Sequence, residues 1–391
     1  MRRRMTCRLL AIACTSLLLG ACASLPHETG TPANAASAPS NQAIELHTVA
    51  ERYVSASHVE AELDSLATWP APDGGTWLIG SAKSTHSLMV FDADSGALLR
   101  TIGGKGKSPG QFNRPNGVAV HGDRLFVVER DNHRLQVLDL PGLQPVASFG
   151  DDVLRSPYGL WINETAPDEL EIYVTDSFMY GERYQIVPPL SELDQRVRRF
   201  RVQTDAAGEL QIDYLGSFGE TREPGALQVV ESIAGDPSHN RLLIADEYVP
   251  GKFAPEEPRS PHAADSGSTL REYTLDGHYT GRSLPADTFA TEAEGVALWS
   301  CRDGAGYWIA VDQRNPLTVF HLFERNGLAP AGSFQGHTTG QTDGIALHAA
   351  STAAFPDGAL FAVHHDEAVA AFDLADIART LGLAEACTGD P

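Results

Sequence analysis

The sequence predicts an all-β fold, a single ring of six blades, and three observations carry that prediction. A unit of about forty residues recurs along the chain, each unit holds successive short apolar strand patterns, and polar corners rich in Gly, Asn and Asp separate them. The second unit shows this most plainly, with alternating or fully apolar runs over 114–120, 123–130 and 133–139. The first unit pairs 77–80 with 88–91, and the third pairs 158–162 with 172–175. The fourth pairs 233–235 with 242–245, the fifth 295–299 with 307–311, and the sixth 344–347 with 359–363. One such sheet cannot bury both of its faces, whereas six around an axis bury a continuous core and leave only short edges. The prediction is therefore a six-bladed β-propeller. Residues 44–54 alternate well enough to supply the outer strand of the last blade and so close the ring. Insertions from Phe178 to Gln195 in blade three and from Pro250 to Ser268 in blade four read as surface excursions near one rim.

The N-terminus carries a different signal. Arg2, Arg3 and Arg4 precede an apolar stretch from Leu9 to Leu19 that is too short to span a bilayer, the pattern of a signal peptide. It ends in Leu19, Gly20, Ala21 and Cys22, which resembles the lipobox of bacterial lipoproteins. That resemblance implies a signal peptide over 1–21, lipidation of Cys22, and a flexible tether over 22–42 rich in Ala, Ser, Pro, Thr and Asn. The propeller then occupies 43–391. The expected location is the cell envelope, at the outer membrane facing the periplasm or the cell surface, with the lipid as the only membrane contact.

The net charge is −22, and removal of the basic leader makes the remainder more acidic still. Such a field disfavours nucleic acid and anionic lipid, and it repels phosphates unless cations intervene. Outside the leader and Cys22, Cys301 and Cys387 remain, either as a disulfide in an oxidising compartment or as two buried thiols.

In a propeller, corners beside the innermost strands converge on the mouth of the central channel. Those corners are acidic: Asp64 in blade one, Glu231 in blade four, Glu292 and Glu294 in blade five, Asp343 in blade six, with Glu247 after the second strand of blade four. Carboxylates this close raise one another's pKa and call for a cation. An all-oxygen set without thiolates or spaced histidines points to Ca²⁺.

Blade two resembles an NHL repeat. The segments around the acids resemble those of the β-propeller phytases, notably Asp64 to Trp69, Glu231 to Ala234, Ile244 to Glu247, Glu292 to Gly295, and Gln341 to Ile345 followed by Phe355 to Phe361. The resemblance implies a calcium-dependent phosphomonoesterase that hydrolyses phytate or related inositol phosphates by metal-activated water, acting as a monomer. It implies that Asp64, Glu231, Glu247, Glu292, Glu294, Gln313 and Asp343 hold calcium, and that Lys83, Arg130 and Tyr158 face substrate phosphates beside Glu231 and Asp343. Ser65 and His337 stand where the family has Asp, which implies fewer metals.

Two other classes compete: a non-enzymatic NHL-like propeller that binds a protein or glycan, and a one-metal, calcium-dependent lactonase or esterase. The Gly103 to Gly110 stretch lacks the spacing and the strand-to-helix context of a phosphate loop. His364, His365 and Asp366 read as a strand end, since neighbours on a strand point to opposite faces.

Overall fold

The computed structural model describes residues 45–249, 251–255, 267–285, 287–384 and 387. The leader, Cys22 and the tether lie outside these, as does most of the blade-four insertion. The described chain forms one sheet per blade, four-stranded in five blades and five-stranded in blade five, with a small two-stranded sheet besides. Blade one comprises Leu63–Pro70, Thr76–Ala82, Ser87–Asp92 and Leu98–Gly103. Blade two comprises Pro115–His121, Arg124–Glu129, Arg134–Asp139 and Gln144–Phe149. Blade three comprises Pro157–Ala166, Glu169–Asp176, Val197–Thr204 and Leu210–Phe218. Blade four comprises Val230–Asp236, Arg241–Asp246, Thr269–Tyr273 and Tyr279–Ser283. Blade five comprises Ala293–Ser300, Gly306–Asp312, Val319–Glu324 and Pro330–Gln335. Blade six comprises Ile345–His348, Ala359–His364 and Ala368–Asp373, completed by Tyr53–Val54.

The apolar positions explain the ring. Because side chains alternate across a strand, each sheet presents one apolar face to the blade before it and one to the blade after. Six apolar clusters result, one for each blade junction. Blades one and two share Ile79, Val90, Val118 and Leu125, and blades four and five share Leu243, Leu270, Trp308 and Phe323. Blades six and one, the junction that closes the ring, share Leu63, Phe91, Phe361 and Val369.

The closing segment departs from expectation. Residues 44–54 do not form one outer strand. Leu46–Thr48 adds in parallel to Pro330–Gln335 as a fifth strand of blade five, and only Tyr53–Val54 pairs with blade six. The reason lies in where its apolar side chains are buried. Val49 packs into the cluster between blades five and six, while Tyr53 packs against the one between six and one. The helix Leu374–Leu381, capped by Asp373 and ended by the left-handed Gly382, lays Ile377 and Ala378 on the same cluster as Val49. Cys301 and Cys387 are joined as a disulfide in that region.

The insertions are more than surface excursions. Ile186–Val187 of blade three pairs in parallel with Ala254–Pro255 of blade four. Val187, Leu193, Ala226, Val229 and Tyr248 form an apolar cluster of their own beneath them. Buried Arg196 ties this region down, donating to the carbonyls of Asp176, Phe178 and Gln228.

Candidate functional site

A recurring irregularity in the innermost strands builds the site. The pairing of the first strand with the second slips between Leu63 and Leu66, Pro115 and Val118, Pro157 and Leu160, Val230 and Ile233, and Ala293 and Val296. Each slip is a β-bulge, which re-aims the side chain it contains. The first residues inside these bulges are Asp64, Asn116, Tyr158, Glu231 and Glu294; Asp343, just before the shorter first strand of blade six, takes the corresponding place. Asp64, Glu231 and Glu294 therefore lie in bulges within the strands, whereas Glu292 and Asp343 stand just ahead of theirs and Glu247 follows a second strand.

The next residue lets the blades close up. At Gly159 an added Cβ would stand 2.3 Å from the carbonyl oxygen of Glu231, and at Gly344 it would stand 2.3 Å from that of Asp64. Gly117 and Gly295 meet the carbonyls of Tyr158 and Asp343 in the same way. Direct hydrogen bonds run from Gly344 N to Asp64 O and from Gly295 N to Asp343 O, each 2.9 Å. Where serine replaces glycine, as at Ser65, the hydroxyl instead accepts from Val118 N. Neighbouring bulges thus touch, and Asp64, Tyr158, Glu231, Glu294 and Asp343 line a cavity of about 30 Å³, the size of a water or an ion.

The acids divide into two groups. Glu231, Glu247 and Glu294 bring one carboxylate oxygen each within 4.8 Å of one another. Glu247 is 5 % exposed, and its Oε1 has no hydrogen-bond partner. Burial, and then the Asp64 charge, push the Glu231 carboxyl up to about 8. Burial followed by Glu231 raises Glu247, and burial followed by Glu231 and Asp343 raises Glu294. A three-carboxylate set of this kind, with an orphaned buried oxygen, fits a hard cation that takes oxygen ligands. Tyr158 lines the same small cavity as Glu231, and burial followed by the surrounding acids lifts its phenol well above its usual range.

The second group is organised around Lys83. Its Nζ lies 3.1 Å from Asp64 Oδ1, 3.5 Å from Asp343 Oδ2 and 3.7 Å from Glu62 Oε1. Burial opposes the ammonium, but Asp64, Asp343, Glu231 and Glu62 outweigh it and hold Lys83 charged. Gln313 Nε2 donates to Asp343 Oδ1, and the Asp366 carboxyl stands close enough to Asp343 for the two to influence each other's protonation. Burial first, then Asp64 and Glu62 against Lys83, raise the Asp366 carboxyl. Lys83 is thus bound by carboxylates and does not line the larger cavity nearby. Glu292 is not among the three acids that meet within 4.8 Å, but its charge acts on Glu247 and Glu294 and it forms an ion pair with Lys252.

That larger cavity, of about 360 Å³, is bordered by Glu231, Glu247, Tyr158 and Arg130. Arg130 uses its Nε on Asp131, at 2.8 Å. Arg155 and Lys252 join the same border, and the sequence reading passed over both. It also passed over Glu62 and Asn116, and it read Asp366 as a strand end, whereas Asp366 stands beside Asp343 in the Lys83 group. Asn116 is fully buried, and neither atom of its amide has a partner. Lining up the five bulges would have found it, because it occupies the place of Asp64 in blade two.

Other buried acids belong to the scaffold. Asp176 accepts from Arg155 N and Ser156 N, Asp246 from Gln228 N and Val229 N, and Asp312 from Ala290 N and Thr291 N. Each ends a second strand and ties down the loop that leads into the first. Arg198 and Arg271 neutralise the first two.

Residues 112–138, most of the first three strands of blade two, match the NHL repeat. Among solved structures, the chain is similar to a hydrazine synthase of Kuenenia stuttgartiensis, at 15 % identity over 79 % of this chain and 76 % of that one, with a TM-score of 0.42. It is also similar to a chain of a nidogen/laminin complex, at 14 % identity over 74 % of this chain and 87 % of that one, with a TM-score of 0.44. No curated protein matches the chain.

Proposed function

We propose that this propeller is a calcium-dependent phosphomonoesterase acting on inositol phosphates, held at the cell envelope through Cys22. The observation that carries the reading is the meeting of Glu231, Glu247 and Glu294 beside a cavity that Arg130 also borders. Those three carboxylates would hold the cation, which supplies charge neutralisation and an activated water when bound. Arg130 offers its terminal nitrogens to a phosphate as a planar fork. Tyr158 spans the acids and the cavity, and as a neutral phenol it can donate to a phosphate oxygen. Lys83 keeps Asp64 and Asp343 compensated from within, which lets an acidic channel stay folded next to an anionic substrate.

Phosphate release from phytate, measured with calcium and with chelator, tests the reading. Release that depends on calcium and falls in Arg130→Ala supports it; no release in either tube overturns it. The burial of Lys83 favours a second reading, a one-cation lactonase or esterase, because an ammonium already occupies the Asp64 and Asp343 half of the acid cluster. Such an enzyme would hydrolyse a lactone or carboxylic ester and keep that activity in Arg130→Ala.

A further inference from the structure

Arg155 stands where blade three's bulge meets the inserted segment, and its surroundings set it apart from the other arginines. Its guanidinium lies 3.6 Å from the ring centre of Phe178 and 5.7 Å from that of Tyr180, both on the insertion. The nearest carboxylate is Glu192, at 3.9 Å, too far for a hydrogen bond. The guanidinium therefore lies against the Phe178 ring, and among the described residues no hydrogen bond takes up its side-chain N–H donors. Arg130, with only Nε engaged, borders the same cavity. The rest of that border includes Met179 and Phe253, one from each insertion, and Phe253 is only partly buried.

Two arginines with free donors in a strongly acidic chain make a local site for an anion. The apolar side chains beside them have nothing to offer a molecule that is phosphate on every side. They fit an anion that carries a flat apolar group. We infer that Arg155 and Arg130 form an anion-binding fork, and that Phe253 and Met179 receive an aromatic or similarly flat ring attached to that anion. The cavity then also admits aryl-type phosphomonoesters, beside the inositol phosphates of the reaction proposed above. The inference rests on the phosphomonoesterase reading only in taking the anion to be a phosphate ester. The paired insertions are the device that builds the ring-binding wall.

Titration calorimetry on the mature protein in calcium-free buffer tests it, with 1-naphthyl phosphate and inorganic phosphate as probes. Burying the ring predicts that 1-naphthyl phosphate binds roughly tenfold or more tightly than phosphate. Arg155→Gln weakens both probes, whereas Phe253→Ala weakens only 1-naphthyl phosphate and brings the two affinities together. Circular dichroism verifies that both variants remain folded. Equal affinity for the two probes in the unsubstituted protein overturns the inference, as does an Arg155→Gln protein that binds both as before. The reaction is scored separately. A protein that prefers 1-naphthyl phosphate but releases phosphate from nothing keeps the subsite and loses the esterase, and one that cleaves phytate without that preference does the reverse.

Discussion

The Nζ of Lys83 lies 3.1 Å from Asp64 Oδ1, with both side chains almost fully buried at the centre of the ring. A cation supplied by blade one thus sits where carboxylates from blades one and six converge. Removing one partner of such a pair leaves the other as an uncompensated buried charge, at a cost of about 3–5 kcal/mol. Lys83→Met should lower the urea midpoint accordingly in calcium-free buffer. Calcium should raise the midpoint more in the variant than in the unsubstituted chain, because a second cation then has a vacated charge to replace. An equal rise in both would remove Lys83 from the role of internal counter-cation.

Calcium and pH should act on stability through the same acids. In the calcium-free fold, burial and Asp64 hold the Glu231 carboxyl at about 8, against 4.5 for an ordinary glutamate. A raised carboxyl pKa means that the folded state keeps a proton that the unfolded chain releases. Stability from this group is therefore present below about pH 4.5 and declines as pH rises toward about 8. Glu247 and Glu294, raised as well, steepen the decline. Melting temperatures in chelator should fall between about pH 5 and about pH 8, and saturating calcium should flatten the slope. At a calcium concentration about 100 times Kd the gain is about 2.7 kcal/mol. A melting temperature unmoved by chelator throughout that range would count against a cation site.

Gly159 reports on how closely the bulges must approach. The Cβ of an alanine would stand 2.3 Å from Glu231 O and 3.4 Å from Thr175 Oγ1, which itself donates to Glu231 O at 2.7 Å. The backbone bearing Glu231 must then shift, at a cost of about 1–3 kcal/mol. Gly159→Ala should unfold at lower urea and bind calcium more weakly than the unsubstituted chain. Calorimetry with calcium separates the two effects, and unchanged affinity would show that Glu231 tolerates the displacement.

Much of this was legible in the sequence because a propeller repeats its physics. Apolar runs such as 125–128 and 242–245 mark second strands, buried on both faces between blades, and acid-glycine pairs such as Glu294-Gly295 and Asp343-Gly344 mark the bulges. What stayed hidden depends on contacts between distant segments. Lys83 follows a strand like many surface lysines, and only the convergence of blades one and six shows that three carboxylates enclose it. Arg155 lies against Phe178, in an insertion whose pairing with Ala254–Pro255 has no periodic signature. The segment around Glu51 alternates like one strand, yet its apolar residues enter two different blade junctions.

Glu51 provides the last prediction, on ring closure. Its carboxylate accepts hydrogen bonds from the backbone N–H of His337, Thr338 and Thr339, at 3.0, 2.9 and 2.8 Å, and from Thr339 Oγ1 at 2.7 Å. Burial would raise its pKa, but the hydrogen bonds of Thr338 and Thr339 outweigh burial and pull it down to about 2. A depressed carboxyl pKa contributes stability that is present above about pH 4.5 and is lost as pH falls toward about 2. This window lies below the one in which Glu231 acts, so the two can be read separately. The side chain is only partly buried, and Glu51→Gln should therefore cost about 1 kcal/mol at neutral pH, toward the lower end for a charged hydrogen-bond acceptor. The variant should also lose part of the decline in stability between about pH 4.5 and pH 2 while keeping its calcium response. Urea midpoints across that acid range are the measurement. If Glu51→Gln and the unsubstituted chain fall in parallel, the clamp between the N-terminal segment and the loop after blade five is not what holds the ring closed in acid.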